Sequence, residues 1–195
     1  MRVTFAVPIL LLLSTGGSLL GQDGTGSIHG RIEDVKARLR PAAVYVEASP
    51  GAAFEPPPEE PLLDQRDYTF LPRVLPVLAG TSVRLSNGDG VRHNLHDADD
   101  ASRLDVSLRP REVRSAVFDR PGVVTIKCRY HSDMVAYVVV VETPWFATTD
   151  GKGEFEIRGV PAGSYRLTFW HEAVPGISLP VEVMPGGTAE VVFRP

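Results

Sequence analysis

The chain contains one cysteine, Cys128, and His131 and Met134 follow it at intervals of three residues. This short segment therefore offers a thiolate, an imidazole and a thioether. Copper suits such a set, because copper(I) takes soft sulfur ligands and copper(II) accepts imidazole. Two histidines and one cysteine in a plane, with a weak axial methionine, are typical of copper sites that transfer single electrons. The segment lacks a second histidine, and His93 in the sequence GVRHNLHD is the best candidate.

Each of these residues has an ordinary structural explanation when it is taken alone. A buried cysteine often serves as a small apolar side chain, and a methionine often fills a gap in a core. His96 also offers an imidazole near His93 and is the alternative second histidine. The aspartates of residues 97–100 lack the regular spacing of a calcium-binding loop and are interpreted as a solvated loop. The metal hypothesis therefore depends on the joint pattern.

Composition limits the kind of protein that carries this pattern. The 195 residues suffice for one large domain or two small ones, and a hydrophobic fraction of 43% with 23% charged residues is ordinary for a folded protein. The 18 glycines and 17 prolines fall between short apolar runs, which favours strands and turns. A net charge of −4 without a basic cluster argues against nucleic acid as a partner.

Residues 1–22 have the features of a secretory signal peptide. Arg2 supplies the positive charge, residues 5–13 are apolar, and residues 15–18 are small. The apolar run is shorter than the roughly 20 residues of a membrane-spanning helix, so we expect a cleaved leader and no stable membrane insertion. Gln22 stands where a lipoprotein would need cysteine, which excludes lipidation there. We expect a periplasmic or otherwise exported protein, in which a lone thiol is protected by burial or by a metal.

Short strands are predicted near both ends of the chain. Residues 26–49 contain two strand-like pieces, and residues 146–172 alternate apolar and polar side chains between turns at Asp150-Gly151 and Pro161-Ala162-Gly163. The stretch TTDGKGEFEIRGVPAGSYRL resembles the carboxypeptidase regulatory-like domains, which implies a transthyretin-like β-sandwich. The first two strands of that family resemble Gly26–Ile32, with isoleucine in the final valine position, and Ala42–Val46.

The central part of the chain resembles the cupredoxins over residues 66–142. Its Cys-x2-His-x2-Met spacing is similar to that of the amicyanins and shorter than that of the plastocyanins. A departure is Pro110-Arg111, where that family often has Pro-Gly. The resemblance implies that His93, Cys128 and His131 bind one type 1 copper ion, with Met134 as the axial ligand and Asn94 linking the two ligand segments by hydrogen bonds. The matching residues are Phe70, Pro72, Gly80, Val83, Asn87, Asp89, His93-Asn94, Pro121-Gly122, Cys128, His131 and Met134.

These observations predict an all-β protein with a Greek-key cupredoxin sandwich. That sandwich is either inserted in the small transthyretin-like sandwich or joined to it in series. The insertion divides the chain into residues 26–50 and 143–195 for the outer domain, a proline-rich linker over 51–65, and the copper domain over 66–142.

The function predicted from the sequence is a carrier of single electrons between a donor and an acceptor redox protein. The alternative is a non-catalytic binding or structural module that holds copper or a protein partner without electron transfer. We expect no enzyme, because no His-x-His pair, second cysteine, HExxH motif, nucleophile elbow or phosphate loop is present.

Overall fold

The computed structural model describes residues 24–34, 40–49, 51–100 and 103–195. The predicted leader over residues 1–22 lies outside the described residues. The described part of the chain is built from strands and turns, which confirms the predicted all-β class. It contains no helix with the length and apolar character needed to cross a membrane.

Sixteen strands follow one another along the described ranges. In chain order they are β1 (Thr25–Ile32), β2 (Ala43–Val46), β3 (Leu62–Arg66), β4 (Thr69–Leu71), β5 (Val74–Leu78), β6 (Thr81–Asn87), β7 (His93–Asp97), β8 (Asp105–Leu108), β9 (Val113–Phe118), β10 (Gly122–Lys127), β11 (Val135–Val141), β12 (Phe146–Thr148), β13 (Glu154–Pro161), β14 (Gly163–Trp170), β15 (Ile177–Val183) and β16 (Thr188–Phe193).

Strands from both ends of the described chain form one pair of sheets, which we call the outer sandwich. One sheet has the order β13-β1-β16 and the other the order β12-β2-β14-β15. The pairing of β1 with β16 is parallel, whereas β1 pairs with β13 in the antiparallel sense. At Gly30 the backbone of β1 closely approaches its neighbours, so only glycine fits. A Cβ there would be 2.4 Å from the carbonyl oxygen of Val191 and 2.6 Å from the ring of Phe155.

Strands β3–β11 form a second pair of sheets, which we call the inner sandwich. Their orders are β5-β11-β10-β7-β8 and β4-β3-β6-β9. Alternation places one side of each strand in a common core, as Val83 and Leu85 of β6 and Val124 and Ile126 of β10 illustrate. Cys128 and Met134 belong to this same core. The inner sandwich therefore surrounds the segment in which the sequence predicts the ligands.

The stretch predicted as a linker over residues 51–65 contains strand structure at its end. It is irregular as far as Pro61, and Leu62–Arg66 then form β3. Strand β3 pairs with β4 and with β6, and Leu63 is fully buried. The four prolines precede the strand, and proline cannot donate a hydrogen bond to a sheet. The sheet therefore begins where the prolines end.

Strand β11 joins the two sandwiches because both of its faces are covered. Its alternate residues Ala136, Val138 and Val140 lie in the core of the inner sandwich. Val139 and Val141 pack instead with Ala43 of the outer sandwich. The near-continuous apolar run of this strand predicts burial on both sides, and the structure confirms it.

An ionic group stands at the edge of this apolar layer. Glu172 follows β14, and Arg73 precedes β5. The guanidinium of Arg73 donates from Nε and Nη2 to the two carboxylate oxygens of Glu172, at 2.6 and 2.7 Å. Arg73 also donates from Nη1 to the carbonyl oxygen of Val135, at 3.2 Å. One arginine thus connects the outer sandwich to the residue that follows Met134.

Candidate metal centre

His93 and Cys128 are brought together by neighbouring antiparallel strands. His93 is the first residue of β7 and is fully buried, and Cys128 follows β10 directly with 5% of its surface exposed. Strand β7 lies between β10 and β8. The backbone N–H of Asn94 donates to Sγ of Cys128 at 3.4 Å, which closes the contact between the two segments.

His131 and Met134 lie in the short connection from Cys128 to β11. The N–H of Met134 donates to the carbonyl oxygen of His131 at 3.2 Å, so the connection is a tight turn. Met134 is 1% exposed and shares the core that contains Cys128. His131 is partly exposed, and its ring lies edge-on to that of His93 at a centroid distance of 4.8 Å. The turn therefore sends one side chain towards the core and one towards the surface.

Three ligand atoms of the predicted set converge on one point. Nδ1 of His93 lies 3.1 Å from Nδ1 of His131. Sγ of Cys128 lies 3.9 Å from Nδ1 of His93 and 3.7 Å from Nδ1 of His131. A triangle with these sides has a centre about 2.1 Å from each corner, close to the roughly 2.0–2.1 Å between imidazole nitrogen and zinc in proteins. The group thus has the size of a metal site, and it is the only such group of three found in the described ranges.

Asp89 determines which nitrogen of His93 is free. Its carboxylate oxygen lies 2.8 Å from Nε2 of His93. Burial raises the pKa of Asp89, but the N–H of Tyr68, the imidazole of His93 and the N–H of Asp67 outweigh that effect, so the pKa lies below its ordinary value. An ionised carboxylate only accepts hydrogen bonds, so Nε2 carries the proton. Nδ1 of His93 then directs a lone pair at the other two ligand atoms.

The donor set fits a soft or borderline metal ion. Two imidazole nitrogens 3.1 Å apart require a proton or a cation between their lone pairs. A thiol completes the triangle, and a thioether lies in the adjoining core. Nitrogen and sulfur ligands of this kind select copper over magnesium or calcium, which take oxygen ligands.

Asn94 contributes through its backbone as well as its side chain. The backbone N–H contacts the sulfur of Cys128, and side-chain Nδ2 donates to Oδ1 of Asp105 at 2.8 Å and to the carbonyl oxygen of Val106 at 3.2 Å. Its Oδ1 lies 3.0 Å from Nδ1 of His96. Asn94 thus links the cysteine to β7 by its main chain and β7 to β8 by its amide. His96, the alternative ligand, faces this amide and is absent from the group of three.

Tyr68, which is not among the candidate residues predicted from the sequence, also contacts this group. Its ring meets those of His93 and His131 edge-on, at centroid distances of 5.7 and 4.9 Å. Tyr68 is 54% exposed and lies between the imidazole pair and solvent. In the sequence, Tyr68 stands between two short apolar segments and next to Asp67, a residue type that favours turns. This pattern could have indicated that Tyr68 lies in a turn.

Comparison with known proteins gives matches to parts of the chain. The family model of polysaccharide lyase family 4, domain II, matches residues 144–191. The family that matches this part of the chain is therefore not the carboxypeptidase regulatory-like family that the sequence resembles. A search of the curated proteins gives no match.

Among solved structures, the chain is similar to a purple cupredoxin from Nitrosopumilus maritimus, with 22% identity and a TM-score of 0.36 over 42% of this chain and 99% of that one. It is similar to an amicyanin variant in its oxidized state, with 24% identity and a TM-score of 0.40 over 50% of this chain and 97% of that one. It is also similar to the copper-containing nitrite reductase of Thermus scotoductus SA-01, with 24% identity and a TM-score of 0.40 over 50% of this chain and 25% of that one.

Proposed function

We propose that this chain is an exported carrier of single electrons that uses one type 1 copper ion. His93, Cys128 and His131 would hold the ion, and Met134 would be a further, weaker ligand. The observation that carries the proposal is the convergence of two Nδ1 atoms and one thiol at 3.1, 3.7 and 3.9 Å. When bound, copper supplies the change between two oxidation states that differ by one electron.

The chain's own residues would keep the ligands still during that change. His93 begins β7, where it pairs with Leu108 of β8, and Cys128 directly follows β10, so each of these two ligands is anchored at the end of a strand. The N–H of Asn94 supports the sulfur. Because a rigid frame resists rearrangement of the ligands, it lowers the cost of gaining or losing an electron. His131 is the ligand nearest to solvent and is the proposed point of contact with donor and acceptor proteins.

Export belongs to the same proposal. The leader over residues 1–22 would direct the chain to the periplasm or an equivalent compartment, and no lipid would be attached. The outer sandwich would be an accessory unit without catalytic residues, whether it is of the carboxypeptidase regulatory-like kind or of the kind that matches residues 144–191. We propose that the chain is not an enzyme.

The test is an optical and EPR spectrum of the mature protein reconstituted with copper(II). We expect strong visible absorption from charge transfer between the Cys128 thiolate and copper, and its loss in Cys128→Ser. Stoichiometric copper binding without this band and without a reversible redox couple would contradict electron transfer. That result would favour the alternative, a module that stores copper or holds a partner.

A further inference from the structure

The carboxylate of Asp89 holds two separate parts of the inner sandwich at once. It lies 2.8 Å from Nε2 of His93, and it accepts the backbone N–H groups of Asp67 at 2.7 Å and of Tyr68 at 3.1 Å. The side chain of Asp89 is 12% exposed. The N–H of Asp89 itself donates to Oδ1 of Asn87 at 3.0 Å, which orients the turn that carries the carboxylate. Asp89 is thus fixed by the turn that follows β6, and its carboxylate bridges to the neighbouring β3–β4 hairpin of the same sheet.

That hairpin has an unfavourable backbone conformation at its tip. Strands β3 and β4 are joined by the two residues Asp67 and Tyr68, whose φ angles are 51° and 58°. Hairpin turns of this kind require positive φ at both positions and are dominated by glycine, asparagine and aspartate. Tyrosine is disfavoured there because its Cβ crowds the backbone. The two N–H groups that this turn presents are the ones that Asp89 accepts.

The turn places the Tyr68 ring against both imidazoles. A different backbone conformation at the tip would carry the ring away from His93 and His131, which it contacts at centroid distances of 5.7 and 4.9 Å. The Asp89 carboxylate therefore orients His93 and also fixes the Tyr68 ring over His93 and His131.

We propose that Asp89 is a positioning residue of the metal centre, which holds His93 through Nε2 and keeps Tyr68 over the imidazole pair. The inference rests on the proposed function, because it takes His93 as a ligand. A carboxylate hydrogen-bonded to Nε2 makes Nδ1 of the imidazole a stronger ligand. It stabilises copper(II) more than copper(I), because the higher charge gains more from a nearby anion. Asp89 thereby lowers the reduction potential.

The test compares Asp89→Asn with Asp67→Asn in the copper-loaded protein. Asp89→Asn keeps an oxygen acceptor for the turn but removes the charge beside His93. We expect copper(II) affinity to fall about tenfold relative to copper(I), which raises the potential by about 59 mV for a one-electron couple. Asp67 is exposed and binds Asp89 through its backbone, so Asp67→Asn removes a charge from the same hairpin and leaves the potential within a small fraction of that shift.

Two further measurements do not depend on redox activity. Nitrogen NMR of the metal-free wild type should show the His93 proton on Nε2. Tyr68→Ala should lose copper to EDTA faster than wild type, whereas Tyr68→Phe, which keeps the ring, should not.

Failure of this inference and failure of the proposed function give different results. A charge-transfer band in both proteins with the same potential in Asp89→Asn and wild type would overturn the inference and leave the function standing. A wild type without the band would overturn the function. In that case a His93 proton found on Nδ1 in the metal-free protein would refute the contact with Asp89 as well.

Discussion

Replacing Glu172 with glutamine tests the ionic group between the sandwiches. The Glu172 side chain is 6% exposed and contacts three donors. Besides the two bonds from Arg73, Nη1 of Arg40 lies 3.0 Å from Oε2, and the hydroxyl of Tyr137 donates to Oε2 at 3.0 Å. Glutamine has nearly the same shape but no charge, so the variant removes the ion pairs with little change in volume.

The magnitude follows from the pKa of this carboxyl. Hydrogen bonds from Arg73 lower the pKa of Glu172 from 4.5 to about 2, against the opposing effect of burial and with help from Arg40 and Tyr137. Each pKa unit corresponds to about 1.4 kcal/mol, so the ionised form contributes about 3 kcal/mol to folding. Because the pKa is depressed in the folded state, this contribution is complete above pH 4.5. It is lost as the pH falls from 4.5 towards 2.

The assay is denaturant unfolding of the metal-free protein at a series of pH values. At pH 7 we expect Glu172→Gln to lower the free energy of unfolding by about 3 kcal/mol, and near pH 2 we expect wild type and variant to converge. Glu142→Gln, at an exposed position, is the matched control and should change little. A pH-independent difference between Glu172→Gln and wild type would refute the reasoning, because loss of packing alone would not follow the titration of a carboxyl.

Two further predictions concern the ligands and the outer sandwich. His131→Gly should lose the visible band and regain it with added imidazole, because His131 is partly exposed; His93→Gly should not regain it, because His93 is fully buried behind Tyr68. Absorption with and without imidazole measures this, and equal rescue of both variants would contradict it. Gly30→Ala should lower the free energy of unfolding by about 1–3 kcal/mol, because the added Cβ meets a carbonyl oxygen at 2.4 Å. Denaturant unfolding checks the loss, and an unchanged copper spectrum under native conditions would show that the inner sandwich is intact.

Much of the strand structure could be predicted from alternation. Val124 and Ile126 share a parity that continues to Cys128, and all three lie in one core. The ligand candidates could be predicted because three of them lie within seven residues and the fourth follows a strong turn. Local pattern is enough to predict these features, because each short strand buries one face and the metal-binding chemistry depends only on the types of side chain.

The contacts around Asp89 could not be predicted in the same way. They depend on the parallel pairing of β3 with β6, which brings the Asp67–Tyr68 turn beside residues 87–89. No periodicity in the sequence specifies which strands are neighbours within a sheet of the inner sandwich. The positive φ angle of Tyr68 also opposes local preference, and tertiary hydrogen bonds outweigh that preference.

Arg111 also has a positive φ angle, of 65°. Cupredoxins often have glycine at the matching position, so Arg111 adopts a backbone conformation that glycine would adopt more easily.

The place of β1 between β13 and β16 has a consequence for the order in which the molecule can assemble. A ribosome releases β1 first and β16 last among the sixteen strands, so this sheet must wait until nearly all of the chain has emerged. The nine strands of the inner sandwich are complete by Val141 and can associate earlier. Until the final strand arrives, β1 keeps unpaired N–H and C=O groups, which are a template for unwanted pairing with other chains. A chain truncated before Thr188 should therefore aggregate through β1, whereas the sheets that carry the ligands should still form.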